Sequence, residues 1–205
     1  MGSLYKNIPA DIIVPVLKSR QIDHIDVLIV THDDYDHSGG VAELKQLIPV
    51  DQMITVKQGD IEVNGVPFHF LCTDYEGEDA NENSIITYFE MYDTGFLFMG
   101  DAGIPAEQHL MNTYSDLKVD VLKVGHHGSN SSSSLAFIHH YAPSLALISA
   151  GRNNRYGHPH QEVMDLLEKE GVYPLITSKN GGASIRFCKF LRFFKTADNE
   201  FGIIE

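Results

Sequence analysis

The chain has 205 residues, of which 43% are hydrophobic and 21% charged, and its formal net charge is −13. This composition is typical of a soluble globular protein, and the length suffices for one well-buried domain over residues 1–205. The negative charge argues against broad binding to duplex nucleic acid, because such binding depends on Lys and Arg neutralising phosphates. We find neither an apolar run of about 20 residues nor a signal-peptide pattern, so the chain as it stands is expected in the cytoplasm without a membrane segment.

Hydrophobic periodicity predicts helices and strands that alternate along the chain. In chain order, the first half is predicted to contain a helix at 10–20, a strand at 25–31, a helix at 40–48, and strands at 52–57, 61–64, 66–72, 86–92 and 95–100. The second half follows with a helix at 105–114, a strand at 119–124, a helix at 132–141, a strand at 145–150, a helix at 159–170, and strands at 173–176, 184–190 and 201–204. The strands at 86–92 and 95–100 are predicted to form a hairpin joined at Asp93-Thr94. This order indicates helices flanking sheets, and no Gly-x-Gly-x-x-Gly motif points to a dinucleotide fold.

Four of the predicted apolar strands run directly into polar loops that are rich in possible ligands. IDVLIV is followed by THDDYDH at 31–37, GFLFMG by Asp101, VDVLKV by GHHGS at 125–129, and LALISA by GRNNRYGHPH at 151–160. Loops at strand ends are where a sheet brings distant parts of a chain together. We therefore expect these four loops to form one site.

The spacing in the first loop favours two metal ions over one. In an extended segment His32, Asp34 and Asp36 would project to one side, and His37 could follow from the adjacent turn. One ion cannot readily take four ligands from so short a loop, whereas two ions roughly 3.5–4 Å apart can share them. Asp101 would bridge the two ions. The alternative is a solvated acidic turn, which does not explain why polar groups also follow the other strands.

The remaining possible ligands are interpreted as structural. Cys72 and Cys188 lie far apart in the sequence and are predicted to be free thiols. Four isolated histidines are expected on the surface or in packing contacts: His69, His109, His139 and His140.

Together these motifs resemble the metallo-β-lactamase superfamily, whose signature loop is Thr-His-x-His-x-Asp-His. Here Asp34 replaces the second histidine of that signature. The segments LKVGHHGSNSSS (122–133) and ISAGRNNRYGHPHQEV (148–163), with Asn-Glu-Asn-Ser at 81–84, closely resemble the hydrolase domain of the ComEC DNA-uptake family. The resemblance covers about residues 10–190.

The resemblance implies an α/β fold of the αββα sandwich type, N-terminally truncated. The family begins with strands that end in an Asp-Thr-Gly turn, ahead of the helix matched by 10–20. Without those strands an exposed sheet edge could allow a homo-oligomer. A membrane association would be expected only within a longer ComEC-like protein.

The resemblance also implies a site with two divalent ions, Mn²⁺ or Zn²⁺. The implied metal ligands are His32, Asp34, Asp36, His37, Asp101 and His126. Asn81 or Asn83 stands where most members have a further histidine. Because the ligand set is rich in oxygen, we expect Mn²⁺ to be at least as effective as Zn²⁺.

The implied reaction is hydrolysis of a phosphodiester by water that the metal ions activate. Asp36, His127 and His158 are the predicted catalytic residues, and either histidine could protonate the leaving oxygen. The predicted substrate-binding residues are Asn83, Ser129, Arg155 and His160. The predicted partner is single-stranded DNA or a small phosphodiester. The alternatives are another hydrolase of the superfamily, acting on a lactone, thioester or β-lactam, and a non-catalytic truncated domain that binds metal or DNA.

Overall fold

The computed structural model of the chain describes residues 6–188 and 191–204. The strands of the described residues are β1 (Ile25–Ile29), β2 (Val50–Ile54), β3 (Ile61–Val63), β4 (Val66–Leu71), β5 (Ile86–Met91), β6 (Thr94–Phe98), β7 (Val121–Lys123), β8 (Leu145–Ile148), β9 (Tyr173–Ile176), β10 (Ala183–Cys188), β11 (Leu191–Thr196) and β12 (Phe201–Ile203). Strands β3 to β9 form one mixed sheet in sequential order, antiparallel from β3 to β6 and parallel from β6 to β9. Strands β1 and β2 pair in parallel, and β10 to β12 form an antiparallel sheet.

The helices lie between the strands, as the periodicity predicts. They are α1 (Val14–Ser19), α2 (Tyr35–Ser38), α3 (Val41–Leu47), α4 (Ile104–Thr113), α5 (Leu135–Tyr141), α6 (Gln161–Lys169) and α7 (Thr177–Asn180). A π-helical turn, Pro9–Ile13, leads into α1, and a 3₁₀ turn, Gly125–Gly128, follows β7. Pro15 does not interrupt α1, because it stands in the first turn of that helix, where no backbone N–H is needed.

The large sheet has two apolar faces because neighbouring side chains of a strand point to opposite sides. On one face Leu97 and Leu122 belong to a buried cluster with Leu110 of α4 and Phe137 of α5. On the other face Phe96 lies in a second cluster with residues of β7 to β9 and of the C-terminal sheet. The sheet is therefore covered by helices on one side and by strands on the other.

The two-stranded sheet adds the remaining layers. Ile54 of β2 packs with Phe70 of β4 and with Ile85, which directly precedes β5, while Val14 of α1 and Leu44 of α3 form a separate cluster on the outer side of β1. Helices, two layers of strands and helices thus follow one another. This is the αββα sandwich that the resemblance implies.

Three local predictions need correction. The hairpin turn lies at Tyr92-Asp93, so that Met91 pairs with Thr94. Both turn residues have positive φ, 51° and 59°, which a β-branched Thr94 would strongly disfavour. Strand β11 was not predicted, and α6 begins at Gln161 instead of Pro159.

The predicted free thiol at Cys72 is confirmed. It is buried and unpaired, and burial raises the pKa of its thiol to about 12, which makes it unreactive. The side chain of Cys188 lies outside the described residues.

The parallel part of the large sheet sends three loops to one edge. The carboxyl ends of β6, β7 and β8 are neighbours, so the residues after Phe98, Lys123 and Ile148 emerge side by side. The chain after β1 reaches the same edge, where the Ile85 N–H donates to the Thr31 carbonyl at 2.9 Å. Over the described part of the chain, no helix combines the length and apolar character that crossing a bilayer requires.

Candidate metal centre

Four side chains from three segments meet at this edge. Asp36, His37, Asp101 and His127 each offer one possible ligand atom, and these atoms all lie within 4.8 Å of one another. Asp36 and His37 belong to α2, Asp101 follows β6, and His127 lies in the 3₁₀ turn after β7. Residues far apart in the sequence therefore form one group of imidazoles and carboxylates.

The first loop does not have the extended backbone that its spacing predicts. It turns into α2 directly after Asp34, and the Ser38 hydroxyl donates to the carbonyls of Asp33 and Asp34 at 2.8 and 3.1 Å. His32 and Asp34 therefore precede the helical turn, whereas Asp36 lies within it. Ser and Gly residues after an acidic run can close such a turn locally, and the strict alternation of an extended segment does not apply.

Asp101 is the buried member of the group, with 3% of its surface exposed. Its backbone N–H donates to the Ser84 hydroxyl at 3.0 Å, and Ser84 Oγ lies 3.2 Å from His32 Nδ1. Its carboxylate oxygens lie 3.2 Å from His37 Nε2 and 3.3 Å from His127 Nε2. Burial would raise the pKa of Asp101, but its interactions with His127 and His37 outweigh burial and hold this pKa well below its usual range.

His127 is held in the ring orientation that a metal ligand needs. Its Nδ1 donates to the Ser149 carbonyl at 2.6 Å, which leaves the other ring nitrogen directed at the carboxylates. Nε2 lies 3.1 Å from Asp36 Oδ2. Burial disfavours the charged ring, yet the hydrogen bonds to Asp101 and Asp36 dominate and raise the pKa of His127 to about 9. The bond to His127 in turn lowers the pKa of Asp36 to about 2.

His32 extends the group on the side of Asp34. Its Nε2 is buried and has no hydrogen-bond partner, and it lies 3.8 Å from Asp34 Oδ2 and 4.0 Å from Asp101 Oδ2. Burial, followed by the charge of His37, lowers the pKa of His32, so its ring is neutral at pH 7. A buried nitrogen without a partner costs free energy unless something fills the space in front of it.

These observations fit divalent metal ions. Asp101 Oδ1 is buried like His32 Nε2, and it too has no partner with hydrogen-bond geometry. Imidazole nitrogens and carboxylate oxygens are the ligands that Zn²⁺ and Mn²⁺ accept. His32 Nε2 and His127 Nε2 both lie near Asp101 Oδ2, at 4.0 and 3.3 Å, whereas His37 Nε2 lies 3.2 Å from Oδ1.

The structure separates the two adjacent histidines of the GHHGS segment. His127 contacts Asp36 and Asp101, whereas His126 is not part of the four-residue group and its Nδ1 lies 3.2 Å from the Ser131 hydroxyl. Both residues have left-handed backbone angles, with φ of 42° and 54°. The predicted role of His126 as a ligand and that of His127 as a proton donor stay predictions.

The loop after β8 lies against this turn. The His158 ring stacks on His127, with centroids 6.2 Å apart and planes 19° apart. The His160 N–H donates to the Gly128 carbonyl at 2.9 Å, and a Cβ added to Gly128 would come within 2.7 Å of Pro159. The two loops are therefore joined through their backbones.

His160 uses both ring nitrogens inside the protein. Nδ1 accepts from the Asn130 N–H at 3.0 Å, so Nε2 carries the proton and donates to the Tyr156 carbonyl at 3.1 Å. Ser129 is also buried, and its hydroxyl accepts from the Ser131 hydroxyl at 3.0 Å. In this conformation both residues hold loops in place, and their predicted contacts with substrate stay predictions.

The remaining predicted substrate residues differ in their surroundings. The Asn83 side chain bonds Gly77 and Asp79 and closes its own loop, whereas the buried Asn81 Oδ1 has no hydrogen-bond partner. The Arg155 guanidinium lies over the Tyr156 ring, 4.5 Å from its centroid.

Three residues that support or border the group were not predicted from the sequence: Ser84, Ser149 and Tyr156. All three lie in segments that carry the resemblance, Ser84 at the end of 81–84 and Ser149 and Tyr156 within 148–163, and this position was the signal that could have identified them.

The chain is similar to known proteins over most of its length. Residues 4–68 match the family model of the metallo-β-lactamase superfamily. ComE operon protein 3 of Bacillus subtilis (strain 168) is 33% identical over 204 residues, which cover 86% of this chain and 26% of that protein. Competence protein ComA of Neisseria gonorrhoeae is 30% identical over 182 residues, covering 82% of this chain and 26% of that protein. The metallo-β-lactamase fold protein YhfI from Bacillus subtilis has a TM-score of 0.47 at 12% identity, covering 74% of this chain and 73% of YhfI.

The chain spans about a quarter of the length of these two curated relatives. The family match includes the loop at 31–37, which supplies Asp36 and His37, two of the four converging side chains. Members of this superfamily are generally hydrolases, and the group described above is a candidate for their metal site. The chain belongs to the metallo-β-lactamase superfamily and is related in sequence to bacterial competence proteins.

Proposed function

We propose that this domain is a metal-dependent phosphodiester hydrolase that acts on DNA in connection with DNA uptake. The observation that carries the proposal is the convergence of Asp36, His37, Asp101 and His127, whose ligand atoms lie within 4.8 Å of one another. A relative named as a competence protein supports the link to DNA. The resemblance of the GHHGS and GHPH segments to the DNA-uptake family favours a phosphodiester over a lactone, thioester or β-lactam.

The chain's own residues would hold two divalent ions. Asp36, His37 and His127 would bind one ion, His32 and Asp34 the other, and Asp101 would bridge them. When bound, the ions would supply a water of lowered pKa and positive charge beside the phosphate oxygens. Mn²⁺ is expected to serve at least as well as Zn²⁺, because carboxylates make up half of this set.

The residues around the group would orient the reaction. The Ser149 carbonyl keeps the Nδ1 proton of His127 in place, so that Nε2 stays directed inwards. Asp36 is 56% exposed at its side chain and can accept a hydrogen bond from the attacking water. His158 stacks on His127, and its ring in the protonated form would give a proton to the leaving oxygen, although burial lowers the pKa of this ring. Asn83, Ser129, Arg155 and His160 would complete the substrate-binding surface.

The test is cleavage by metal-stripped protein after Mn²⁺ or Zn²⁺ is added back. Single-stranded DNA, duplex DNA, bis-p-nitrophenyl phosphate and a lactone are assayed in parallel, and bound metal is counted by elemental analysis. We expect two ions per chain and cleavage of single-stranded DNA and of the small phosphodiester. Lactone turnover without phosphodiester cleavage would instead assign another hydrolase, and fewer than two ions without any turnover would indicate a non-catalytic domain.

A matched pair of variants controls this assay. Asp36→Asn removes a carboxylate that hydrogen-bonds His127, and Asp74→Asn removes an exposed carboxylate that lies 3.3 Å from His109, away from the group. Cleavage should fall more than about a hundredfold in the first variant, because a ligand should matter more than a residue that only supports one. The second variant should cleave like the wild type, and equal losses in both would contradict the assignment.

A further inference from the structure

Tyr156 is an exposed aromatic residue at the rim of the candidate site. It keeps 61% of its surface exposed. Its ring stacks on His158 with centroids 5.6 Å apart and planes 20° apart, and His158 stacks in the same way on His127. Three nearly parallel rings therefore run from the carboxylates of the metal group out to the surface.

The loop that carries Tyr156 is ordered by its own hydrogen bonds. The Asn154 side chain accepts from the His158 N–H at 2.9 Å and donates to the His158 carbonyl at 2.6 Å. The Tyr156 carbonyl accepts from His160 Nε2 at 3.1 Å. A ring held in this way loses little conformational freedom when a flat ligand stacks on it.

A positive group accompanies the ring. The Arg155 guanidinium lies 4.5 Å from the Tyr156 ring centroid and donates to the Tyr156 hydroxyl. Tyrosine rings and guanidinium planes are the two protein surfaces on which unstacked nucleobases most often lie. The pair therefore combines a stacking surface with a charge that suits a neighbouring phosphate.

The overall charge of the chain also favours base stacking as the source of affinity. With a net charge of −13, long-range attraction cannot supply much affinity for a polyanion. Base stacking can supply it, since stacking does not depend on the sign of the protein's charge. In a duplex the faces of the bases are already stacked on one another, whereas in a single strand they are accessible.

We propose that Tyr156 and the Arg155 guanidinium that lies over its ring together form the platform on which the base next to the scissile phosphate stacks, so that the substrate is a single-stranded nucleic acid. This inference rests on the function proposed above and adds the residue that recognises the base.

The test is equilibrium binding of an aminopurine-labelled oligodeoxynucleotide, with EDTA present so that no cleavage occurs. Tyr156→Ala should weaken binding about 5- to 100-fold, the effect of losing one stacked base, and should abolish the quenching of the aminopurine. Tyr156→Phe keeps the ring and should bind within about twofold of the wild type. Tyr92→Ala, which removes a still more exposed ring on the β5–β6 turn at the opposite end of β6, should bind like the wild type.

An oligonucleotide with abasic positions separates stacking from a structural role. The wild type and Tyr156→Ala should bind it equally, and the ratio of their affinities for the normal strand should not change with salt. Equal binding of the normal strand by both proteins, or no binding by the wild type, would overturn the platform. The proposed function would still stand if the metal-loaded wild type cleaves DNA, and it would fail separately if that cleavage is absent.

Discussion

The two sides of the candidate centre differ in how firmly the fold holds them. On the inner side Asp101 and His32 are almost fully buried, and Ser84 contacts both residues. On the outer side the Asp34 and Asp36 side chains are 52% and 56% exposed. The inner side therefore has its geometry fixed by the core, whereas the outer side can exchange water and substrate.

We therefore expect the two sides to have different roles. A buried carboxylate beside neutral imidazole gains most from a cation, because little water competes there. Exposed carboxylates interact more weakly with a cation, but a substrate can reach them. We expect metal affinity to depend mainly on the inner side and turnover to depend on both sides.

The largest expected effect is on metal affinity, which should fall far more in Asp101→Asn than in Asp34→Asn. Loss of the shared, buried carboxylate should lower metal affinity more than about a hundredfold, while loss of the exposed one should lower it about tenfold. Titration of the metal-free proteins with Mn²⁺ by calorimetry measures both values. If Asp34→Asn were the more damaging change, the proposed dominance of the inner side would be wrong.

A smaller difference in metal affinity is expected between variants of the two adjacent histidines, His126 and His127. His127→Gln removes a nitrogen that faces Asp36 and Asp101, whereas His126→Gln removes a ring outside that group. We expect about a hundredfold loss of metal affinity in the first variant and about a tenfold loss or less in the second. The same calorimetric titration applies, and the reverse order would support the sequence-based assignment of His126 as the ligand.

The smallest effect is expected on the free energy of unfolding, from a change at Glu107, a residue behind the inner side. Glu107 of α4 is buried, and its carboxylate accepts from the N–H groups of Ser133 and Ser134, which directly precede α5. Glu107→Gln leaves one of these buried N–H groups without an acceptor, which should lower the free energy of unfolding by about 1–3 kcal/mol at low pH. Denaturant unfolding of both proteins measures this difference.

The difference should shrink as the pH rises. Burial raises the pKa of Glu107, although the hydrogen bonds from Ser134 and Ser133 oppose it. A raised folded-state pKa contributes stability below the ordinary glutamate pKa of 4.5, and this contribution is lost as the pH rises through the folded-state pKa. Wild type and Glu107→Gln should therefore converge above pH 4.5, and a difference that grows with pH would exclude a raised pKa.

The alternation of helices and strands and the meeting of the loops could be predicted from the sequence, because both depend on periodic apolar patterns, whereas the αββα arrangement was implied by the resemblance. Strands β6, β7 and β8 were recognisable as apolar runs, and each was followed by polar residues. Parallel neighbours then place those residues at one edge, which needs no knowledge of side-chain geometry. The resemblance supplied the metal chemistry.

The finer geometry depends on backbone angles that the pattern does not encode. Which of His126 and His127 lies beside the carboxylates depends on the left-handed backbone angles of these two consecutive residues. The position of Asp36 depends on a single helical turn at Tyr35–Ser38. Strand β11 was missed because its sequence, LRFFKT, does not alternate cleanly between apolar and polar residues, although it pairs with β10 and β12.

The close approach of Gly128 to Pro159 has a consequence for how a ligand is received. The turn with His127 and the loop with His158 share a backbone hydrogen bond and have no room for an added Cβ between them. They should therefore shift as a single rigid body, so that the nitrogen near the carboxylates and the ring at the rim keep a constant separation. A nucleic-acid strand bound as proposed above would have to adapt its own torsions to this constant separation. The distance along the strand between the bound base and the phosphate would then decide which bond is cut.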